Sequence, residues 1–213
     1  MLPGPLAIIA ELTHRCPLRC VYCSNPLELK SREAELSTRD WSRVFLEAAA
    51  MGALHVHFTG GEPLARPDLE VLIRSARAAG LYTNLITSGM PMPGDRFVSL
   101  IAAGLDHIQL SFQADEADLA SEIAGRDALA TKLELAKKIR SSSIAFTANL
   151  VVHRRNLDRL ESMLHFVESL QPQRIEVAHV QYYGWAFANR SALLPTREQL
   201  DSCLLYTSDA ADE

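Results

Sequence analysis

The chain has 213 residues, 48% of them hydrophobic and 22% charged, with a net charge of −5. That length buries the core of one domain, the acidic balance argues against a nucleic-acid-binding surface, and no apolar run approaches the ~18 residues of a membrane-spanning helix. The first residues lack a basic segment and soon meet Glu11, a poor secretory signal, so the expected compartment is the cytoplasm.

In chain order, short β-branched or apolar runs predict strands over residues 6–12, 54–59, 81–87, 107–113, 144–152 and 174–181. Helical periods separate them. Ser37 or Thr38 caps the first helix, with Asp40 placed for a capping box and Trp41, Val44, Phe45 and Ala48 as its inner stripe. Pro67 opens the second with Asp68 in its first turn. Phe97, Leu100 and Ile101 mark a short third. Leu129, Leu133, Ala136 and Ile139 mark the fourth. Asn156 caps a fifth, whose stripe is Leu157, Leu160, Leu164 and Val167. Strands alternating with helices imply crossover connections and a parallel sheet. The expected fold is therefore α/β, a partial (βα)6 TIM-like barrel with its chemistry on loops after the strands. The core domain is expected over residues 1–200. Residues 201–213 do not continue the pattern and read as a truncated or non-native tail.

The loop after the first strand carries the run Cys16-Pro-Leu-Arg-Cys20-Val-Tyr22-Cys23, and the chain has only one other cysteine, Cys203. In a reducing compartment such clustering points to metal ligands rather than a disulfide. Three thiolates hold three corners of a cubane iron–sulfur cluster and leave the fourth iron open. A zinc site completed by His14 or a distant histidine is the alternative, although His14 lies closer to Cys16 than usual ligand spacings allow. Tyr22 offers a ring to pack beside the cluster or its ligand.

The second strand ends in Thr59-Gly60-Gly61-Glu62-Pro63. Glycines allow close backbone approach, Glu62 adds a carboxylate suited to a charged amino group, and Pro63 fixes the turn. Thr87, Ser88 and Gly89 end the third strand, Ser111 and Gln113 the fourth, and Asn149 lies on the fifth. Arg126 can fork onto a carboxylate. Each of these has an equal reading as a polar turn or barrel-lining group. His55 and His57 share one face of the second strand and read as hydrogen-bonded groups inside the barrel.

With those residues in place, Cys16-x3-Cys20-x2-Cys23, its Tyr22, and Gly60-Gly61-Glu62-Pro63 resemble the radical S-adenosylmethionine (SAM) superfamily. The resemblance implies a [4Fe–4S] cluster on Cys16, Cys20 and Cys23, with SAM chelated at the open iron. It implies SAM contacts from Tyr22, Gly60, Gly61, Glu62, Pro63, Ser111, Gln113, Arg126 and Asn149. The cofactor, reduced by an electron donor such as flavodoxin, then yields a 5′-deoxyadenosyl radical, so no side chain is assigned as catalytic.

Gln181-Tyr-Tyr-Gly-Trp-Ala186, Asn189-Arg190, Leu194-Pro-Thr-Arg-Glu-Gln199 and His153-Arg-Arg-Asn156 are similar to the radical SAM peptide cyclases of pyrroloquinoline quinone (PQQ) biosynthesis. That resemblance implies a carbon–carbon cross-link between Glu and Tyr side chains of a ribosomal precursor peptide, presented by a small chaperone-like partner. Those cyclases carry a C-terminal domain with auxiliary clusters, and this sequence lacks the cysteines for one; the expectation is a truncated chain, able at best to bind cluster and SAM and inactive in cross-linking. The alternatives are another radical SAM peptide modifier or sulfatase-maturing enzyme, or a metal-binding fragment without catalysis.

Overall fold

Alternation along six parallel strands sorts the sheet into an apolar outer face and a polar inner one. The computed structural model describes residues 4–209, with side chains through Cys203. The strands are β1 (Ala7–Glu11), β2 (His55–Thr59), β3 (Tyr82–Thr87), β4 (His107–Phe112), β5 (Ala145–Val152) and β6 (Arg174–His179). They pair only with sequence neighbours, in the order β1-β2-β3-β4-β5-β6, so β1 and β6 stay unpaired with each other. This is the expected partial barrel, and the strand boundaries lie within a residue or two of the sequence reading.

Helices cover the outer face. Between β1 and β2 lies α1 (Thr38–Ala50), where Ser37 and Asp40 form the expected capping box. Then come α2 (Leu69–Ala78), α3 (Arg96–Ala102), α4 (Ala117–Ala124), α5 (Leu129–Arg140) and α6 (Leu160–Ser169). Past β6 follow α7 (Gly184–Ala188), α8 (Arg190–Leu193) and α9 (Arg197–Asp209). Val56, Phe58, Leu85, Ile108, Leu110, Phe112, Phe146 and Leu150 are fully or almost fully buried beneath them. Phe45 of α1 meets Phe58 edge-on at 5.8 Å. Burial of this kind drives folding at about 25 cal/mol per Å² of apolar surface.

The helices depart from the sequence expectations in three places. Pro67 does not start α2: it lies in the preceding turn, and Asp68 is the N-cap. The Asp68 carboxylate is engaged by Arg66 and the Thr38 hydroxyl instead of capping. Asn156 does not cap α6 through its side chain. Its amide donates to the carbonyls of Gln113 (2.9 Å) and Val151 (3.0 Å), tying the ends of β4 and β5. Finally, α4 was not anticipated, and the buried stripe of α5 runs through Lys132 and Leu135, with Leu133 only half-buried.

The inner face carries His57, Asn84, His107, Gln109, Ser111, Thr147 and Asn149. His57 bonds Asn84 (2.9 Å) and His107 bonds Thr147 (2.9 Å), as the reading of hydrogen-bonded barrel histidines expects. His55 departs from it: the residue is exposed and packs beside Tyr82 at the sheet's amino end. Among the described residues no helix is long and apolar enough to cross a membrane.

Candidate functional site

The loops after β1 and β2 are joined directly by main-chain hydrogen bonds. The Gly61 amide donates to the Thr13 carbonyl (2.5 Å) and the Glu62 amide to that of Arg15 (2.8 Å). Gly60 has φ +133°, and a Cβ there would sit 2.4 Å from the Thr13 carbonyl oxygen. A Cβ on Gly61 would sit 2.5 Å from that of Arg15. The two glycines thus admit the chain itself, where the sequence suggested the approach of a ligand.

Glu62 is 1% exposed. One carboxylate oxygen accepts from the Leu64 amide (3.0 Å) and the Thr87 hydroxyl (2.6 Å). The other accepts from the amide (2.7 Å) and hydroxyl (2.6 Å) of Ser88. Burial still pushes the carboxyl above its usual range, against the pull of these donors. Pro63 begins a single 3₁₀ turn, Pro63–Ala65, for which Glu62 is the N-cap.

The cysteine loop is clamped on both sides. Across it, the Arg19 and Val21 amides donate to the carbonyls of Ala124 (2.8 Å) and Ile123 (3.0 Å), the C-terminal carbonyls of α4 that have no partner within that helix. On the other side the Ala186 amide of α7 donates to the Cys23 carbonyl (2.8 Å), and the Asn189 side chain to Val21 (2.9 Å). A Cβ on Gly184 would lie 1.8 Å from the Asn25 carbonyl oxygen, which explains the glycine within Gln181-Tyr-Tyr-Gly-Trp-Ala186. Trp185 and Tyr183 of that run stay largely exposed.

The three thiols themselves are free. Burial pushes Cys16 up to about 12, Cys20 up to about 11, and Cys23 above the usual thiol range. At neutral pH they rest protonated, and metal loading must displace those protons. Among the described residues, no group of three or more His, Cys, Asp or Glu side chains is arranged to hold a single metal ion. Zinc needs such convergence on one point. Three thiolates at separate corners of a cubane do not.

Above the loop, Tyr22 accepts a hydrogen bond from the Gln113 amide nitrogen (2.9 Å). Its ring lies 5.4 Å from that of His153. Ser111 and Asn149 face each other across β4 and β5, with the Asn149 amide 3.4 Å from the Ser111 hydroxyl. The Asn149 side-chain oxygen and His153 Nε2 are buried without a partner among the described residues. A bound ligand with hydroxyls or ring nitrogens would complete both, since orphaned buried polar atoms are costly. The residues therefore fit a cluster on the three cysteines with a polar ligand beside it. Arg126 is not gathered into this set: it is exposed on the turn leaving α4.

The sequence reading did not single out Lys132, and named His153 only within the run His153–Asn156 without a role. Lys132 is 1% exposed, its ammonium donating to the Ser111 carbonyl (2.8 Å) and the Gln113 side-chain oxygen (2.5 Å). Its position on the apolar stripe of α5, three residues after Leu129 and four before Ala136, was the available signal.

The model of the Radical SAM superfamily matches residues 10–167. The chain is 48% identical over 212 residues to the PqqA peptide cyclase of Methylobacterium nodulans, covering 99% of this chain and 56% of the relative. It is 50% identical to that of Ruegeria pomeroyi over 98% of this chain and 56% of the relative. For that of Gluconobacter oxydans the figures are 52%, 94% and 56%. The chain thus spans a little over half the length of the curated relatives it matches. Among solved structures, Streptococcus suis SuiB bound to S-adenosylmethionine aligns with a TM-score of 0.78 at 20% identity, over 98% of this chain and 49% of that one. The protein anSMEcpe with bound AdoMet aligns at 0.69 and 16%, over 82% and 51%. At such identities these two speak for the fold alone.

Proposed function

Since the chain belongs to the radical SAM superfamily, we propose that Cys16, Cys20 and Cys23 ligate a [4Fe–4S] cluster and that the protein modifies a peptide in PQQ biosynthesis. In this reading it joins a glutamate and a tyrosine side chain of a ribosomal precursor peptide. The observation that carries the reading is the identity of about half, along nearly the whole chain, to proteins named PqqA peptide cyclase. A peptide substrate is also in keeping with a structural neighbour, Streptococcus suis SuiB bound to precursor peptide SuiA.

When bound, the cluster supplies the electron that splits SAM and starts hydrogen abstraction from the substrate. The protein's own part is positional. The α4 and α7 clamps hold the cysteine loop in one conformation before loading. The Gly60–Gly61 turn brings the end of β2 against that loop. The Asn149 side-chain oxygen and His153 Nε2, an acceptor and a donor, are held ready for the ligand's polar groups, with Ser111 next to Asn149. Glu62 has four internal donors already, so its part toward the ligand is to brace the Ser88 and Leu64 backbone; an amino group would share its oxygens rather than fill them alone. A small chaperone-like protein presents the peptide and a flavodoxin-type donor reduces the cluster. Residues 1–200 make up the core unit.

The test is anaerobic incubation with reductant, SAM and the precursor peptide, of the reconstituted chain and of a full-length version. The chain is expected to cleave SAM, and the full-length version to release a peptide lighter by two hydrogen atoms. SAM cleavage with an unaltered peptide by the full-length version would sink the cyclase reading and leave the superfamily chemistry intact.

A further inference from the structure

β1 is one of the two open edges of the sheet, since it pairs with β2 alone. The Leu6 carbonyl accepts from the Leu54 amide (2.9 Å) and the Leu12 amide donates to the Thr59 carbonyl (2.9 Å), so the even-numbered residues direct their main-chain groups to β2. Strand alternation turns the amides and carbonyls of Ile9 and Glu11 the other way, where neither residue has a partner among the described residues. Proteins guard such edges with charge, proline or cover. This edge carries Glu11 as its only charge and leaves Ile9 70% exposed. A groove of about 530 Å³ lies beside it, lined by Ile9, Glu11, Leu36 and Trp41 among others, and reaches His14, two residues before Cys16. One wall belongs to residues 30–36, tied down by the Lys30 amide on His14 Nδ1 (2.8 Å) and the Thr13 hydroxyl on Glu35 (2.5 Å). Trp41 is 8% exposed, and its indole N–H is buried without a partner among the described residues. An indole can only donate, and a buried donor left unpaired is costly. The strand edge and the indole suit the same partner, the carbonyl groups of a polypeptide laid along β1.

We propose that the open edge of β1, with Trp41 beside it, binds a stretch of the precursor peptide in extended conformation, adding it to the sheet as a further strand. The inference rests on the peptide-substrate reading above and adds where that peptide is held. Main-chain pairing of this kind gives affinity, and the groove takes alternate side chains. The groove leads to the cysteine loop, where a substrate must deliver the residues to be joined. A second copy of the chain paired β1 to β1 would fill the edge but bring nothing to that loop.

The test is titration of a fluorescently labelled precursor peptide with the reconstituted chain, read by anisotropy without oxygen, with amide hydrogen exchange of the chain in parallel. Bound peptide is expected to slow exchange at Ile9 and Glu11. Ile9→Pro removes an outward amide and leaves the ladder to β2 intact, since a strand edge accommodates proline where its N–H would face solvent; affinity is expected to fall about tenfold or more. Trp41→Phe keeps a ring against Phe45 and removes the donor, for an expected loss of about threefold to tenfold. Binding unchanged by both substitutions, exchange unmoved by the peptide, or self-association of the parent that Ile9→Pro abolishes overturns the proposal. Should Ile9→Pro fail to fold, Trp41→Phe and the exchange pattern decide. Turnover of the same peptide by a full-length version separates the two failures. A peptide that is cross-linked while β1 exchange stays unmoved sinks the strand edge alone; a peptide left unaltered sinks the peptide reading and the edge with it.

Discussion

The loops that follow β1 and β2 are neighbours in space and opposites in state. The turn after β2 is finished as folded: both glycines are pressed against the β1 loop, and every oxygen of Glu62 has two donors. The cysteine loop has a fixed backbone and an unfinished chemistry, with three protonated thiols and orphaned polar atoms above them. The difference separates two kinds of preorganisation. One loop stores its order in contacts within the chain. The other is fixed through its backbone in the same way and presents three free thiols.

Substitutions that strike one loop and spare the other break the comparison most directly. Cys20→Ala leaves two thiolates, so iron uptake on reconstitution falls to background. The cluster-free chain keeps its urea midpoint, because removing one half-buried thiol costs no more than about 1 kcal/mol. A large loss of stability in that variant would mean the cysteine loop is structural. Gly60→Ala is the reverse case. Its Cβ meets the Thr13 carbonyl oxygen at 2.4 Å on a backbone with φ +133°, and the expected loss is about 3 kcal/mol or more, read from urea unfolding without metal.

How far each loop was legible follows from the same distinction. Cys16, Cys20 and Cys23 stand out by spacing alone, because thiol chemistry depends on residue type. The strands were legible because their period of two and β-branched content are local. The clamps were not, since they join Arg19 to Ala124 and Cys23 to Ala186 through main-chain atoms that carry no residue signature. Glycine marked a close approach at Gly60 and Gly61 without revealing that the neighbour is the chain's own Thr13–Arg15 backbone. Lys132 was hidden among the surface lysines of α5, although its place on the apolar stripe distinguished it. Asn156 and Pro67 misled because a capping residue type also serves to tie strand ends, and a proline also serves a turn.

A milder change sharpens the contrast. Glu62→Gln keeps the shape but turns one acceptor oxygen into a donor facing either the Leu64 amide and Thr87 hydroxyl or the amide and hydroxyl of Ser88. The expected cost is about 1–3 kcal/mol of stability in the metal-free chain, with the three thiols still countable by alkylation. No change in stability would show that the turn does not depend on its internal bonds.

The smallest effect lies on the other side, at His153 against Tyr22. Burial lowers its imidazole from the ordinary 6.5 to about 4. The unfolded chain therefore binds a proton below pH 6.5 that the native chain refuses. The contribution is full above that pH and is lost as pH falls from 6.5 toward 4. The expected loss is on the order of 1 kcal/mol between pH 7 and 5.5, seen as a falling urea midpoint. His153→Phe should flatten that slope; a slope unchanged by the substitution would place the acid sensitivity elsewhere.

The most direct measurement is the metal and sulfide content of the chain after anaerobic reconstitution, taken together with SAM turnover under strong reductant. The account predicts four irons and four sulfides per chain and release of 5′-deoxyadenosine. A colourless protein holding one zinc, or a loaded protein that leaves SAM intact, would contradict it.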